Sequence, residues 1–167
     1  MNRAHEAHVT AILTSNGADL LRHFQRRAPQ EAADLLGEVM TTTWRRVADV
    51  PANELEARLW LFGVARRVMA NHERGQVRRL RLAEQLRARL AVQTPATHES
   101  SAVVGSEVRD AVDRLPVDLA ELVRLVHWDG FTLTEAARIV GLNPSTARSR
   151  YARARAELRT ALTLSVD

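Results

Sequence analysis

The residues GLNPSTARSRYARAR, 141–155, combine a turn-forming start with arginines spaced for contact with an anion. Gly141 can end one helix in a left-handed conformation, Asn143 can cap the next, and Pro144 fits the first turn of that helix. Short side chains then cover one helical face, which lets a backbone approach another surface closely. Guanidinium groups on and beside that face can pair with phosphates or hydrogen-bond to guanine edges. The segment predicts either a helix that reads nucleic acid or an ordinary surface helix solubilised by arginine.

The helix from Pro144 also has an apolar side and a partner helix upstream. Upstream, Thr132 and Glu135 have the spacing of a capping box, so a helix begins there. Ala136 and Ala137 are small enough for the two helices to cross closely. This arrangement predicts a helix-turn-helix whose second helix enters a major groove, with an αα-hairpin that does not bind DNA as the alternative. The predicted core-facing stripe of the second helix is Ala147, Tyr151, Ala154 and Leu158.

Basic residues are clustered, and all 24 of them are arginine, within a formal net charge of +4. Residues 66–89 contain eight arginines and two glutamates, and residues 145–159 contain five arginines and one glutamate. Between these patches, residues 99–135 contain eight acidic residues and three arginines. Two basic patches separated by an acidic stretch are expected when two surfaces follow one polyanion, although solvated faces can give the same runs.

The composition favours a helical, soluble binding protein. Apolar residues make up 46% of the 167, aromatic residues only 4%, and cysteine is absent, which excludes disulfides and thiolate zinc sites. No apolar run approaches a membrane span, and the N-terminus lacks a signal peptide, so we expect a cytoplasmic protein without membrane insertion. Glycine-rich phosphate loops are absent, and His5 and His8 are not accompanied by acids at metal-ligand spacing. We therefore expect no enzymatic activity, no cofactor and no metal.

The hydrophobic periodicity predicts an all-α fold of two small helical domains joined by a flexible linker. The first unit, residues 1–90, ends where the mixed Pro, Thr, Ser and Gly segment at 91–105 begins, and the second unit covers residues 106–167. The linker should let the two units move relative to one another in the free chain. The helices are expected at 6–27, 30–47, 54–90, 106–114, 117–128, 132–140 and 144–162.

Three stretches, in order, resemble the extracytoplasmic-function (ECF) class of bacterial RNA polymerase sigma factors, within the sigma-70 family. EAADLLGEVMTTTW, 31–44, is similar to the acidic and apolar pattern of that family's polymerase-docking surface. ARLWLFGVARRVMANHER, 57–74, resembles the helix of its promoter-melting domain. LPVDLAELVRLVHWDGFTLTEAARIVGLNPSTARSRYARARAEL, 115–158, resembles its C-terminal helix-turn-helix. The resemblance covers roughly residues 20–80 and 107–162.

The resemblance implies a sigma domain 2-like first unit, which docks on core RNA polymerase and captures the melted minus-ten promoter element, and a sigma domain 4-like second unit, which reads the minus-thirty-five element. In the second unit, Arg148, Ser149 and Arg153 are candidates for base edges, and Arg150 or Arg155 for phosphates. The full set expected on the minus-thirty-five element is Ser145, Thr146, Arg148, Ser149, Arg150, Arg153 and Arg155.

For the first unit, we expect Asn53 to hydrogen-bond to a flipped base and the arginines to line the single strand. Trp60 is better explained as a core residue than as a stacking platform. The set expected on the minus-ten strand is Asn53, Trp60, Arg66, Arg67, Asn71, Arg74, Arg78 and Arg79. Docking on the polymerase is expected at Asp34, Leu35, Glu38 and Val39, where the two carboxylates lie four residues apart on one helical face.

The function expected from these features is that of a sigma factor, with core RNA polymerase, promoter DNA and an anti-sigma factor as partners. One alternative is a stand-alone helix-turn-helix regulator that binds duplex DNA without polymerase. Another is a degenerate family member that only sequesters an anti-sigma protein. An acidic docking face combined with an arginine-rich strand-binding helix favours the sigma factor, because a simple regulator has no use for that combination.

Overall fold

The structure, a computed structural model, describes residues 3–90 and 106–163. Every regular element in these two ranges is helical, which confirms the all-α fold class. The predicted linker, residues 91–105, lies outside the described residues. The elements are α1 Arg3–Gln25, α2 Ala32–Arg45, a 3-10 turn Val47–Asp49, α3 Glu54–Leu90, α4 Ser106–Asp113, α5 Val117–His127, α6 Leu133–Val140 and α7 Pro144–Thr163.

Helices α1 to α3 form the first unit around apolar side chains that recur every three or four residues. Leu20 and Phe24 of α1 and Val39 of α2 are fully buried, as are Leu61 and Phe62 of α3. Burying large aliphatic and aromatic side chains stabilises a fold by about 1.5–3 kcal/mol for each. Helix α3 has 37 residues, so it is about 55 Å long and extends well past α1 and α2.

The connection between α2 and α3 is held by two histidines of α1 and by one of its own side chains. His5 Nε2 lies 2.6 Å from the carbonyl oxygen of Val47, and His8 Nε2 lies 2.9 Å from that of Pro51. These contacts give the two N-terminal histidines a structural role. Asn53 Oδ1 accepts a hydrogen bond of 3.1 Å from the backbone N–H of Glu56, so this side chain caps the start of α3.

Helices α4 to α7 form the second unit, and the local signals that predict its turns are confirmed. Thr132 and Glu135 make both hydrogen bonds of a capping box at the start of α6. Gly141 ends α6 with φ of 73°, a left-handed conformation that favours glycine. Asn143 Oδ1 accepts from the backbone N–H of Thr146 at 2.8 Å and starts α7. Ala147 is fully buried, as expected for the core-facing stripe of α7.

The two units pack against each other through α3 and α6. Phe131 and Ile139 of the second unit lie in the same buried cluster as Phe62 of the first. The sequence predicts two units that move relative to one another, whereas the structure holds them together in a shared core. Separating them would expose these side chains to water, so the packing has a definite free-energy cost of opening.

No helix in the described ranges is long and apolar enough to cross a membrane.

Candidate nucleic-acid interface

The outer face of α7 is open to solvent and rich in hydrogen-bond donors. Arg148, Ser149 and Arg155 are exposed, and Arg153 is exposed while its Nε donates to Glu157 at 2.7 Å. Ala152 is exposed among them, and its short side chain lets another surface approach the helix backbone closely. An exposed helical face with small residues between guanidinium groups fits the dimensions of a major groove.

The first turn of α7 is occupied by its own capping contacts. Ser145 Oγ donates to Asn143 Oδ1 at 2.8 Å, and Thr146 is half-buried. Helix N-termini favour anions, so this end of α7 is chemically suited to a phosphate.

Arg150, a predicted phosphate contact of α7, forms an ion pair with another helix. Its NH1 lies 2.9 Å from Oδ2 of Asp118 at the start of α5, and both side chains are more than a third exposed. Ion pairs this exposed are worth about 0–1 kcal/mol, so a phosphate could replace Asp118 at little cost.

On α3, the predicted strand-binding arginines are exposed. Arg67, Arg74 and Arg78 lie on one side of the helix with Asn71, whose Oδ1 accepts from Arg74. Arg66 and Arg79 flank that side. This arrangement supplies a line of cations along the helix, which is what a single-stranded phosphate backbone requires.

Trp60 and Asn53 do not belong to that line of arginines. The Trp60 ring is half-buried against the core of the first unit, and the guanidinium of Arg46 lies 5.3 Å from its centroid. Asn53 is exposed and has its Oδ1 engaged in the cap of α3, which leaves its amide group toward solvent.

The acidic pair of α2 faces solvent, but its predicted apolar companions do not. Asp34 and Glu38 are exposed, whereas Leu35 and Val39 are 2% and 0% exposed and belong to the core. Trp44 ends the stretch 31–44 that resembles a docking surface but is not among the predicted docking residues, and it is 41% exposed. Tryptophan is a frequent anchor of protein interfaces, so Trp44 is a further candidate on α2.

A cleft of about 1030 Å³ lies between the two units. Residues of α1 and α3 line one side and residues of α4 to α7 the other, so Arg66, Arg67 and Arg74 line the same cleft as Arg150. Three of the predicted strand-binding arginines therefore lie beside one arginine of α7.

Beneath this cleft, a buried charge network joins the units at Asp129, in the turn between α5 and α6. Its Oδ2 lies 3.0 Å from Nδ1 of His23 and 3.2 Å from NH2 of Arg27, and its Oδ1 lies 3.1 Å from NH1 of Arg26. Arg27 also reaches Glu121 at 3.3 Å. The side chains of Asp129 and His23 are each only 1% exposed, so these contacts are shielded from water.

The protonation states in this network follow from its geometry. Burial alone would raise the pKa of Asp129, but the hydrogen bond from His23 and the charges of Arg27 and Arg26 hold that pKa below its ordinary value of 3.8. Burial lowers the pKa of His23, and Arg27 adds to this, against the opposing effect of Asp129. A neutral His23 then donates from Nδ1 to an ionised Asp129.

Arg58 completes the contact from α3. Its NH2 donates to the carbonyl oxygen of Asp129 at 3.3 Å, and its guanidinium lies 5.0 Å from the ring centroids of both Phe62 and Phe131. Arg58 NH1 also lies 2.7 Å from Asp19 Oδ2, which balances its charge and holds the pKa of Asp19 below 3.8 despite partial burial. No local pattern in the sequence indicates this network, because its members are far apart along the chain.

Comparison with known proteins agrees with this geometry. The family model described as "Sigma-70, region 4" matches residues 106–158. The chain is 32% identical over 124 residues to the ECF RNA polymerase sigma factor EcfG of Rhodopseudomonas palustris, covering 72% of this chain and 66% of that protein. It is 27% identical over 125 residues to the ECF RNA polymerase sigma factor BldN of Streptomyces coelicolor, covering 74% of this chain and 47% of that one. The chain thus spans about two thirds of the first relative and about half of the second.

Among solved structures, the sigma factor RpoE of Bartonella quintana, in complex with the anti-sigma factor NepR, matches with a TM-score of 0.66 at 20% identity. The match covers 97% of this chain and 98% of that one, so the two share a fold along nearly their whole lengths. The helix-turn-helix with its exposed arginines, the family match over residues 106–158 and the similarity to EcfG place this protein in the extracytoplasmic-function family of RNA polymerase sigma factors.

Proposed function

We propose that the protein is a sigma factor that binds core RNA polymerase, directs it to specific promoters and starts DNA melting. The observation that carries this proposal is the presence of two separate exposed arginine sets, one on α3 and one on α7, in a member of the ECF family. A double-stranded element and a melted strand need two such surfaces. The protein reads the first through its base edges in the groove, and it binds the second through its phosphate backbone and unstacked bases.

The division of labour follows the two units. Residues 1–90 would dock on the polymerase and hold the minus-ten element, residues 91–105 would link the units, and residues 106–167 would read the minus-thirty-five element. The exposed Arg148, Ser149 and Arg153 support base reading by α7. The exposed Arg67, Arg74 and Arg78 support strand binding by α3.

The docking surface on the polymerase is best supported at Asp34, Glu38 and Trp44. Two exposed carboxylates can meet basic residues of a partner, and an exposed tryptophan supplies apolar contact area. Leu35 and Val39 are buried and would contribute indirectly, by holding α2 in place against the core. This surface distinguishes the proposal from a stand-alone regulator, which needs no polymerase contact.

An anti-sigma factor is the third partner we propose. The solved relative RpoE is in complex with the anti-sigma factor NepR, and the fold is shared along nearly the whole of both chains. A protein of this kind would act by covering surfaces that the polymerase or the promoter needs. The anti-sigma factor would therefore regulate the protein described here. That protein would work by binding its partners and not by catalysis in an active site.

The test is gel filtration of the purified protein with sigma-free bacterial core RNA polymerase. The proposal predicts co-elution that is weakened by Asp34→Asn combined with Glu38→Gln and retained by Glu107→Gln, an exposed acid on α4 that serves as the matched control. Clean separation of a folded protein from the polymerase would overturn the proposal and favour a stand-alone DNA-binding regulator.

A further inference from the structure

Several of the polar contacts between the units converge on one residue. The carboxylate of Asp129 accepts hydrogen bonds from His23 of α1 and from Arg26 and Arg27, which directly follow α1, and its carbonyl oxygen accepts from Arg58 of α3. These four side chains of the first unit therefore all depend on a single turn of the second. Loss of the Asp129 charge would loosen several contacts at once.

The charges in this contact balance only while the units are together. Arg26 and Arg27 carry two positive charges, Asp129 and Glu121 carry two negative charges, and the buried His23 is neutral. Arg27 and Asp129 have side chains 5% and 1% exposed, so neither is well hydrated in the packed state. Each of them needs either its present partners or water, so removing one partner leaves a buried charge unpaired, which is strongly destabilising.

The packed state also contains polar groups without partners. Within the described residues, Nε2 of His23 and Nε of Arg27 are buried and have no hydrogen-bond partner. Such groups regain hydrogen bonds when they reach water, so opening the contact returns part of its cost. The interface thus combines buried ion pairs with two unsatisfied polar groups, which lower the free-energy cost of opening it.

In the packed arrangement, one arginine of the α7 set lies beside the α3 set. Arg150 lines the same cleft as Arg66, Arg67 and Arg74, and that cleft measures about 1030 Å³. The minus-ten and minus-thirty-five elements are roughly 25 base pairs apart, which at 3.4 Å per step is about 85 Å of duplex. Contacting both elements at once requires the units to separate.

We infer that Asp129 is the latch of the protein, the residue that holds the two units in this packed arrangement, and that its contacts break before the units separate on a promoter. This inference rests on the proposed sigma-factor function for its link to promoters. The latch itself is a property of the free chain. Asp129 makes its side-chain hydrogen bonds to His23, Arg26 and Arg27, and none of these residues lies on α7, so loss of the latch should leave base reading by α7 intact.

The first test measures the separation of the units in the free protein. Because the chain has no cysteine, Ala18→Cys on α1 and Thr160→Cys on α7 provide two exposed, unique labelling sites for single-molecule fluorescence energy transfer. The latch predicts a single short-distance population in the otherwise unchanged chain. Asp129→Asn should raise the long-distance population by about tenfold or more, and Arg26→Gln should raise it less, because its side chain is 25% exposed.

The matched control is Glu56→Gln, which removes an inter-unit ion pair with Arg138 whose side chains are 41% and 52% exposed. This variant should leave the distances unchanged, since such a pair contributes little. Circular dichroism confirms that each variant keeps its helices, and the milder Arg26→Gln tests the latch if Asp129→Asn unfolds. Equal long-distance populations in the unchanged chain, Asp129→Asn and Arg26→Gln would overturn the latch.

The second test locks the units together. Glu56→Cys and Arg138→Cys, joined by a bis-methanethiosulfonate cross-linker through two disulfides that reductant can cleave, should abolish transcription from defined start sites with core polymerase, and reductant should restore it. Full activity of the cross-linked protein would show that opening is not required and would overturn the inference. If the distances respond to Asp129→Asn but no form of the protein binds polymerase, the latch stands and the proposed function fails.

Discussion

Phe131 of the second unit meets Phe62 of the first edge to face, with the ring centroids 4.7 Å apart and an interplanar angle of 77°. Both rings are buried, and Arg58 lies over each of them. Edge-to-face aromatic pairs contribute about 0.5–1.5 kcal/mol beyond the burial of their area. The pair belongs to the apolar part of the contact between the units, and Asp129 belongs to the polar part.

Replacing Phe131 with alanine should therefore destabilise the protein. Removal of a buried phenylalanine side chain costs about 3–5 kcal/mol, part of it from the cavity left behind. Urea unfolding should show this loss for Phe131→Ala, while Val117→Ala, at a side chain 77% exposed, should change the free energy of unfolding by less than about 0.5 kcal/mol. Similar small changes for both variants would contradict the shared core.

Stability should fall as the pH is lowered through the range in which histidine titrates. The folded-state pKa of His23 lies below its ordinary value of 6.5 because of burial and Arg27, more than Asp129 and Glu121 raise it. Below about pH 6.5 the unfolded chain binds a proton that the folded chain does not, so the free energy of unfolding decreases. The slope from this one group reaches at most about 1.4 kcal/mol per pH unit.

Asp129 acts in the same direction at lower pH. Its folded-state pKa is below its ordinary 3.8, so its contribution to stability is present above pH 3.8 and is lost as the pH falls through the lower folded value.

The prediction for His23 is tested by urea unfolding at pH 8, 7, 6 and 5. The free energy of unfolding should decline more steeply below pH 6.5 for the unchanged chain than for His23→Gln. Parallel declines in the two proteins would show that His23 is not buried in its neutral form.

Promoter recognition should depend on Arg148 and Arg153 without any change in polymerase binding. Each bidentate contact of arginine with a base is worth about 1–3 kcal/mol of discrimination, so Arg148→Ala or Arg153→Ala should weaken promoter-specific binding roughly 5- to 150-fold. Arg109→Ala, an exposed arginine on α4, is the matched control and should have a small effect. Filter binding of the reconstituted polymerase to promoter fragments measures the first effect, and gel filtration measures polymerase binding. Equal loss of both activities would contradict the division of labour.

Polymerase docking should depend on Trp44 as well as on the acidic pair of α2. Trp44→Ala should weaken binding to core polymerase by more than about 1 kcal/mol, because tryptophans at the centre of interfaces carry a large share of the binding energy. Asp34→Asn combined with Glu38→Gln should mainly slow association, with a larger effect at low salt. Surface plasmon resonance with immobilised core polymerase separates these rates. Unchanged kinetics for both variants would move the docking surface away from α2.

The sequence predicts those parts of the structure that depend on near neighbours. The caps at Thr132 and Asn143 and the left-handed Gly141 are local signals, so the bounds of α6 and α7 agree with prediction to within one residue. The apolar repeats of α1, α2 and α3 likewise predict helices with ends that differ by a few residues from those observed.

Contacts between distant parts of the chain could not be predicted in this way. His23 and Asp129 are 106 residues apart, and neither has a neighbourhood that marks it as buried and paired. The exposure of Trp44 could not be predicted either, because periodicity identifies a helix with an apolar stripe but not where the partner elements end. The relation between the two units is set by packing across the chain, which is why the packed arrangement emerged only from the structure.

The most direct measurement of the central claim is transcription in vitro by core RNA polymerase with and without the protein, on genomic fragments from the organism that encodes it. The account predicts transcripts with defined 5′ ends that appear only when the protein is present, that share two upstream sequence elements, and that are lost with Arg148→Ala. Transcripts with the same scattered 5′ ends in both reactions, from a folded protein, would contradict it.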